Sequence, residues 1–263
     1  MKLIITDMDG TLLKPNDEIP AEYFELMHKL KPYGIKFGIA SGRQYGILKN
    51  QFKNDYRDML IISDNGAAVY NGDHLIYKHC LSNVLVHKYH DLILRYPYFG
   101  LIYAGVNSSF TESENDVVIE NLKRYCHCPT KYSSLEAMLA KDDVAKLAIY
   151  DFSGQAGKHV RNFAMYHDVD FVASGDNWID INAKDTSKGQ TLHYIKQQYQ
   201  ISSKDIYVFG DYNNDISMLK EADNSFAMAN ATTDVKTVAH FSCPSNVEEG
   251  VIKTLRSVFK EYL

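Results

Sequence analysis

Short apolar segments alternate with stretches of helical spacing at both ends of this chain, and this alternation limits the folds that it can adopt. Near the N-terminus, the apolar segments 2–6, 35–41 and 59–63 are separated by helical patterns at 20–31 and 43–52. Strands that alternate with helices build a parallel sheet covered by helices. The sequence therefore predicts an α/β fold with a Rossmann-like parallel-sheet core.

The alternation stops near Asn83 and resumes near Asp185. The segment between them has its own α+β pattern, with predicted helices at 83–95, 116–126 and 134–140 and predicted strands at 145–150, 169–174 and 178–182. The pattern of the N-terminal part then returns, with helices at 186–199, 214–222 and 248–261 and strands at 205–210 and 225–229. We therefore predict a discontinuous catalytic core, residues 1–82 and 185–263, interrupted by an inserted cap domain, residues 83–184.

Composition excludes several classes of protein. Apolar residues make up 45% of the 263 residues, which is enough for a substantial core. The net charge is −5, and a protein that coats nucleic acid needs a basic excess instead. The apolar run before Asp7 is too short for a signal peptide, and we find no apolar stretch of membrane-spanning length. We expect a cytoplasmic protein with no nucleic-acid or membrane partner.

Polar residues follow the predicted core strands where each strand ends. Asp7 and Asp9 follow the first strand, Ser41 follows the second, and Asp211 follows the strand at 205–210. In an open parallel sheet, ligands bind outside the carboxyl ends of the strands. We therefore expect these side chains to meet at one edge of the sheet.

Asp7 and Asp9 are the central pair of this predicted site. In extended backbone, residues two apart share a face, so both carboxylates would point the same way and repel each other. Mg²⁺ would relieve that repulsion, because it prefers oxygen ligands and often takes one or two carboxylates plus substrate phosphate. Asp211 could complete the set. An EF-hand calcium loop fits poorly, because Leu12 stands where that loop needs glycine.

These residue types suit phosphoryl transfer. A carboxylate can attack phosphorus to form an aspartyl-phosphate, while a second acid protonates the leaving alkoxide and later deprotonates water. Amides near Met8, and the start of a helix at Ser41, would suit phosphate oxygens, although Ser41 could equally be an N-cap. Lys188 lies in the first turn of a predicted helix, where the helix dipole disfavours a cation, and a phosphate would balance it. Each of these loops, taken alone, could instead be ordinary polar surface with no role in catalysis.

Four segments, taken in order, resemble the motifs of the haloacid dehalogenase superfamily of phosphotransferases. They are DMDGT (7–11), Ser41, Lys188 and GDYNND (210–215). The spacing is similar to that of the Cof-like branch, which carries a large α/β cap of type C2 between the second and third motifs. The segment SDNGAAVY (63–70) also resembles that branch.

The resemblance implies a role for each matching residue. Asp7 would be the nucleophile and a Mg²⁺ ligand, and Asp9 would be the general acid/base and bind Mg²⁺ through its backbone carbonyl. Asp211 and Asp215 would complete the metal site. The phosphate would be held by the amides of Met8 and Gly42 and by the side chains of Ser41, Lys188 and Asn214.

The sequence thus predicts a Mg²⁺-dependent phosphatase that acts on a small phosphomonoester, such as a sugar phosphate, through an aspartyl-phosphate. The cap would close over the site and exclude water. A phosphomutase of the same superfamily is one alternative. A non-catalytic phosphometabolite-binding protein is another, and loss of Asp7 or Asp9 would have favoured it; both are present.

Overall fold

A computed structural model describes residues 1–53, 55–126 and 128–263 of the chain. Within these residues the strands are β1 (Lys2–Thr6), β2 (Ile35–Ala40), β3 (Leu60–Ser63), β4 (Ala68–Asn71), β5 (His74–Lys78), β6 (Phe99–Gly105), β7 (Ser109–Phe110), β8 (Val144–Asp151), β9 (Val169–Ala173), β10 (Trp178–Ala183), β11 (Ile206–Gly210), β12 (Asn224–Met228) and β13 (Phe241–Cys243). The α-helices are α1 (Ala21–Leu30), α2 (Tyr45–Phe52), α3 (Asn83–Ile93), α4 (Asp116–Tyr125), α5 (Leu135–Leu139), α6 (Ala156–Asn162), α7 (Lys188–Tyr199), α8 (Ile216–Leu219), α9 (Thr233–Val238) and α10 (Gly250–Val258).

The chain forms two compact units. The first comprises Met1–Gly42, Lys49–Ile76 and Ser187–Leu263, and the second comprises Arg43–Leu48 and Tyr77–Thr186. The cap segment predicted from the sequence, 83–184, falls within the longer range of the second unit.

A mostly parallel sheet forms the first unit, in the order β13-β12-β11-β1-β2-β3-β4-β5. The strands from β13 to β3 run parallel to their neighbours, and β4 is antiparallel to β3. The central strand β1 is buried on both faces, with Leu3, Ile4 and Ile5 fully inaccessible. Because β1 pairs with β11, residues 7 and 211 follow adjacent strands at the same edge of the sheet.

The second unit is built on an antiparallel sheet in the order β7-β6-β8-β10-β9. One face carries its main apolar core, which includes Leu101, Leu147 and Ile181. On the other face, Ile102 of β6 packs with Val118 of α4. Strand β6 was not among the strands predicted from the sequence.

The fold class predicted from the sequence is confirmed, with a parallel-sheet core and a separate antiparallel sheet. Among the helices of the described residues, none has the length and hydrophobicity that crossing a membrane requires.

Candidate active site

Asp7 directly follows β1, the first strand of the parallel sheet, and the chain turns after it. The Asp7 amide donates to the carbonyl of Phe209 at 3.0 Å, continuing the pairing of β1 with β11. Met8–Leu12 then form an irregular helical turn, in which Asp9, with φ −76° and ψ 119°, and Gly10 depart from helical geometry. Asp7 is buried, at 6% exposure, and Asp9 is exposed. Regular strand pairing therefore ends at Asp7, and the expectation that both carboxylates share a face of the chain stays a prediction.

Gly10 makes this turn possible and brings it against Asp211. Its φ is 79°, in the left-handed region that side chains rarely adopt, and a Cβ atom here would lie 2.3 Å from Oδ2 of Asp211. The next residue, Thr11, donates from Oγ1 to Oδ1 of Asp211 at 3.0 Å. The turn after β1 therefore positions the carboxylate that follows β11.

Three carboxylates meet at this edge. Asp7, Asp211 and Asp215 each offer one oxygen atom, and these atoms lie within 4.8 Å of one another. Asp215 also shapes its own loop, because its Oδ2 accepts from the amides of Asp211 at 3.0 Å and Tyr212 at 3.1 Å. Asp9 lies outside this group of side chains.

Lys188 is the cation of the site. It is the first residue of α7, and the helix begins at an N-cap formed by Ser187, whose Oγ accepts from the Gln190 amide at 3.1 Å. The Lys188 ammonium is fully buried and lies 2.5 Å from Oδ1 of Asp7 and 2.7 Å from Oδ1 of Asp215. These two carboxylates offset both the burial and the unfavourable helix dipole.

The electrostatics of the site show an excess of negative charge. Burial and the neighbouring Asp215 raise the pKa of Asp7 to about 8, although Lys188 opposes this rise. Burial raises the pKa of Asp211 to about 6, against the hydrogen bond from Thr11. Burial opposes protonation of Lys188, but Asp215 and Asp7 outweigh it and hold the Lys188 pKa above its usual value. Hard oxygen donors with unbalanced negative charge fit a Mg²⁺ ion.

The remaining predicted residues lie around the ends of β2 and β11. Ser41 is buried after β2; its amide donates to the carbonyl of Ile62 and its carbonyl accepts from the Asn65 amide, both at 2.9 Å. Helix α2 begins only at Tyr45, so Ser41 is not its N-cap. Asn214 is exposed and donates from Nδ2 to Oδ1 of Asn65 at 3.0 Å. Gly42 lies against the same Asn65 side chain.

Sequence reasoning missed three residues that hold these loops. Thr11 orients Asp211, Asn65 contacts Asn214, and Asn230 donates from Nδ2 to the carbonyl of Gly10 at 2.8 Å. Thr11 lies in the motif DMDGT (7–11) and Asn65 lies in the segment SDNGAAVY (63–70), so these two motifs could have indicated both residues. No local pattern marks Asn230, since its partner lies 220 positions away along the chain.

Known proteins resemble this chain over nearly its whole length. A family model described as haloacid dehalogenase-like hydrolase matches residues 4–255. The 5-amino-6-(5-phospho-D-ribitylamino)uracil phosphatase YbjI of Escherichia coli is 28% identical, with 99% of this chain and 97% of that protein covered. The enzyme of the same description from Bacillus subtilis, YwtE, is 26% identical, with 95% and 96% covered. The solved structure of the subclass IIB sugar phosphatase BT4131 has a TM-score of 0.80 at 23% identity, with 100% of both chains covered.

The chain belongs to the haloacid dehalogenase-like hydrolases, and the resemblance of its motifs to that superfamily and its Cof-like branch is confirmed. It is a phosphatase, a hydrolase that acts on phosphoric monoesters, as the sequence predicts.

Proposed function

We propose that this chain is a Mg²⁺-dependent phosphatase that hydrolyses a small phosphorylated metabolite through an aspartyl-phosphate on Asp7. The observation that carries this proposal is the placement of Asp7. Its buried carboxylate touches the Lys188 ammonium and lies beside the carboxylates of Asp211 and Asp215.

Asp7 is the proposed nucleophile. One of its oxygens attacks phosphorus, the bond between phosphorus and the leaving oxygen breaks, and the phosphoryl group is left on the carboxylate. Attack requires the ionised form of Asp7, which burial disfavours and Lys188 favours. Lys188 therefore favours the ionised form of the nucleophile and holds its carboxylate in one orientation.

The metal ligands are proposed to be the carboxylates of Asp7, Asp211 and Asp215 together with the backbone carbonyl of Asp9. Bound Mg²⁺ would neutralise charge between the nucleophile and the phosphate and polarise the phosphoryl oxygens. The raised pKa values of Asp7 and Asp211 support this assignment, because a cation lowers the cost of ionising both groups.

Asp9 is the proposed general acid and base. It protonates the leaving oxygen in the first step and takes a proton from the attacking water in the second. Its exposure supports this role, because an accessible carboxyl group can exchange protons with solvent between the steps. We assign the phosphate oxygens to Lys188, to the side chains of Ser41 and Asn214, and to the amides of Met8 and Gly42.

The substrate is proposed to be a phosphorylated sugar or sugar alcohol. Two relatives that match nearly the whole chain are named for a substrate with a phosphorylated ribityl chain. Such a substrate presents a primary phosphate ester on a flexible, hydroxyl-rich chain. We extend only this general chemistry to the present enzyme.

A phosphate-release screen of the purified protein tests the proposal. The panel should contain sugar phosphates, sugar-alcohol phosphates and 5-amino-6-(5-phospho-D-ribitylamino)uracil, each with Mg²⁺ and with EDTA. We expect Mg²⁺-dependent release of inorganic phosphate from at least one of them. Conversion to a phosphate isomer without release would indicate a mutase instead, and binding without turnover would indicate a non-catalytic binding protein.

A further inference from the structure

The turn after β3 has an unusual backbone. Asp64, Asn65 and Gly66 have φ values of 49°, 56° and 107°, so three consecutive residues lie in the left-handed region. Single residues adopt this conformation in ordinary turns, but a run of three is strained. Strain of this kind persists only where surrounding contacts hold it, and it is concentrated at functional sites.

The contacts of this turn join two parts of the candidate active site. The Asn65 amide donates to the carbonyl of Ser41 at 2.9 Å. The carbonyl of Gly66 accepts from Oγ1 of Thr191 at 2.8 Å, and Thr191 lies one turn after Lys188 in α7. The turn is therefore fixed to the end of β2 on one side and to the helix that carries Lys188 on the other.

The side chain of Asn65 reaches two proposed phosphate ligands. Its Oδ1 accepts from Nδ2 of Asn214 at 3.0 Å. Its Nδ2 lies beside Gly42, where an added Cβ atom would be 3.1 Å away. The Asn65 carboxamide thus occupies the space between the segment after β2 and the loop after β11.

We propose that Asn65 is a positioning residue for phosphate binding that acts through Asn214, an inference that rests on the proposed function. An asparagine amide nitrogen carries two hydrogen atoms. In Asn214, one of them is directed to Asn65. The other is then held in a fixed direction and is available to a phosphate oxygen. Without this contact, the exposed Asn214 side chain rotates among several conformers and binds phosphate less well.

Substitution of Asn65 by glycine tests the contribution of the side chain without changing the conformation of the backbone. Glycine adopts positive φ without strain, so Asn65→Gly keeps the turn and its hydrogen bonds to Ser41 and Thr191 while it removes the carboxamide. The matched control is Gln200→Gly. Gln200 is also left-handed, with φ 53°, but it is the C-cap of α7, nine residues after Thr191.

The experiment measures competitive inhibition by inorganic phosphate and the kcat and KM of a substrate found in the screen, with unfolding temperature as a check on the fold. We expect Asn65→Gly to weaken phosphate inhibition about threefold to tenfold and to raise KM, as loss of one hydrogen bond predicts. The unfolding temperature should not fall, and Gln200→Gly should bind phosphate as the wild type does.

A double-mutant cycle with Asn214→Ala tests whether Asn65 acts through Asn214. We expect Asn65→Gly to cause no further loss of phosphate affinity when Asn214 is already alanine. Wild-type phosphate affinity in Asn65→Gly, or an undiminished effect in the Asn214→Ala background, would overturn the inference while leaving the proposed function intact. A wild-type protein that neither releases nor binds phosphate would instead reject the proposed function, and the inference with it.

Discussion

The Nζ atom of Lys188 lies 2.5 Å from Oδ1 of Asp7, and both side chains are buried. The two residues are 181 positions apart in the sequence, so the parallel sheet and the start of α7 bring them together. Asp215 shares the same ammonium at 2.7 Å. The described residues of this cluster comprise one ammonium group and three carboxylates, and an excess of carboxylates over cations suits binding of a divalent cation.

Replacing Lys188 by methionine should strongly destabilise the metal-free protein near neutral pH. Asp7 and Asp215 would lose their buried counter-ion, and breaking a buried pair from one side costs about 3–5 kcal/mol. Lys196→Met is the matched control on the same helix, because Lys196 contacts the partly exposed Glu221 and its loss should cost at most about 1 kcal/mol. Urea unfolding of both variants in EDTA measures the difference. Similar losses in the two variants would contradict the importance of the buried ammonium.

Asp7→Asn should abolish turnover and leave the fold intact. The amide matches the carboxylate in shape but is a poor nucleophile, so the aspartyl-phosphate cannot form. Phosphate release should fall at least about a thousandfold, as expected when a nucleophile is removed. Asp205→Asn, which alters a partly exposed aspartate 3.5 Å from Lys2, should keep wild-type activity. A rate in Asp7→Asn of about a tenth of wild type or more would refute the aspartyl-phosphate mechanism.

Removal of divalent metal should stop catalysis reversibly. EDTA should eliminate phosphate release, and excess Mg²⁺ should restore it. Mg²⁺ should also raise the unfolding temperature of the wild type, since a ligand that binds only the folded state stabilises it. Asp211→Asn should lose most of this thermal response, because it removes one carboxylate of the cluster. Full activity in EDTA, or an unchanged Mg²⁺ response in Asp211→Asn, would disprove the metal assignment.

Gly10→Ala should weaken Mg²⁺ binding by about tenfold or more, as disturbance of a metal ligand typically does. The new methyl group would lie 2.3 Å from Oδ2 of Asp211 and must displace it. Gly34→Ala is a close control, because Gly34 also has positive φ but no atom lies near its added Cβ. Calorimetric titration with Mg²⁺ compares the two. Equal affinities would show that left-handed strain alone, and not the contact with Asp211, accounts for any loss.

The stability of the metal-free enzyme should fall as the pH rises. Asp7 titrates at about 8 in the folded protein against 3.8 for an ordinary aspartate, so the folded state binds the proton more tightly. The resulting stabilisation is complete below the unfolded pKa and is lost as the pH rises through the folded one. In EDTA, the unfolding temperature of the wild type should therefore decrease relative to that of Asp7→Asn as the pH rises from about 5 to about 8. A pH-independent difference between the two proteins would contradict the raised pKa.

Local patterns predicted the elements of the parallel core, from β1 to β3 and from α7 to β12, because short apolar runs alternate there with segments of helical spacing. They did not predict β6. They also did not predict that Asp7 is buried while Asp9, two residues later, is exposed. The pairing of Asn65 with Asn214, 149 positions apart, had no local signature.

The sequence by itself determined the α/β class, the family and the residue types of the site, because strand and helix periodicity and the spacing of motifs are local properties. Only the tertiary structure brings the oxygen atoms of Asp7, Asp211 and Asp215 within 4.8 Å of one another. The reason is physical: proximity between distant residues depends on the order and register of β1 and β11, and no short segment of chain encodes that pairing.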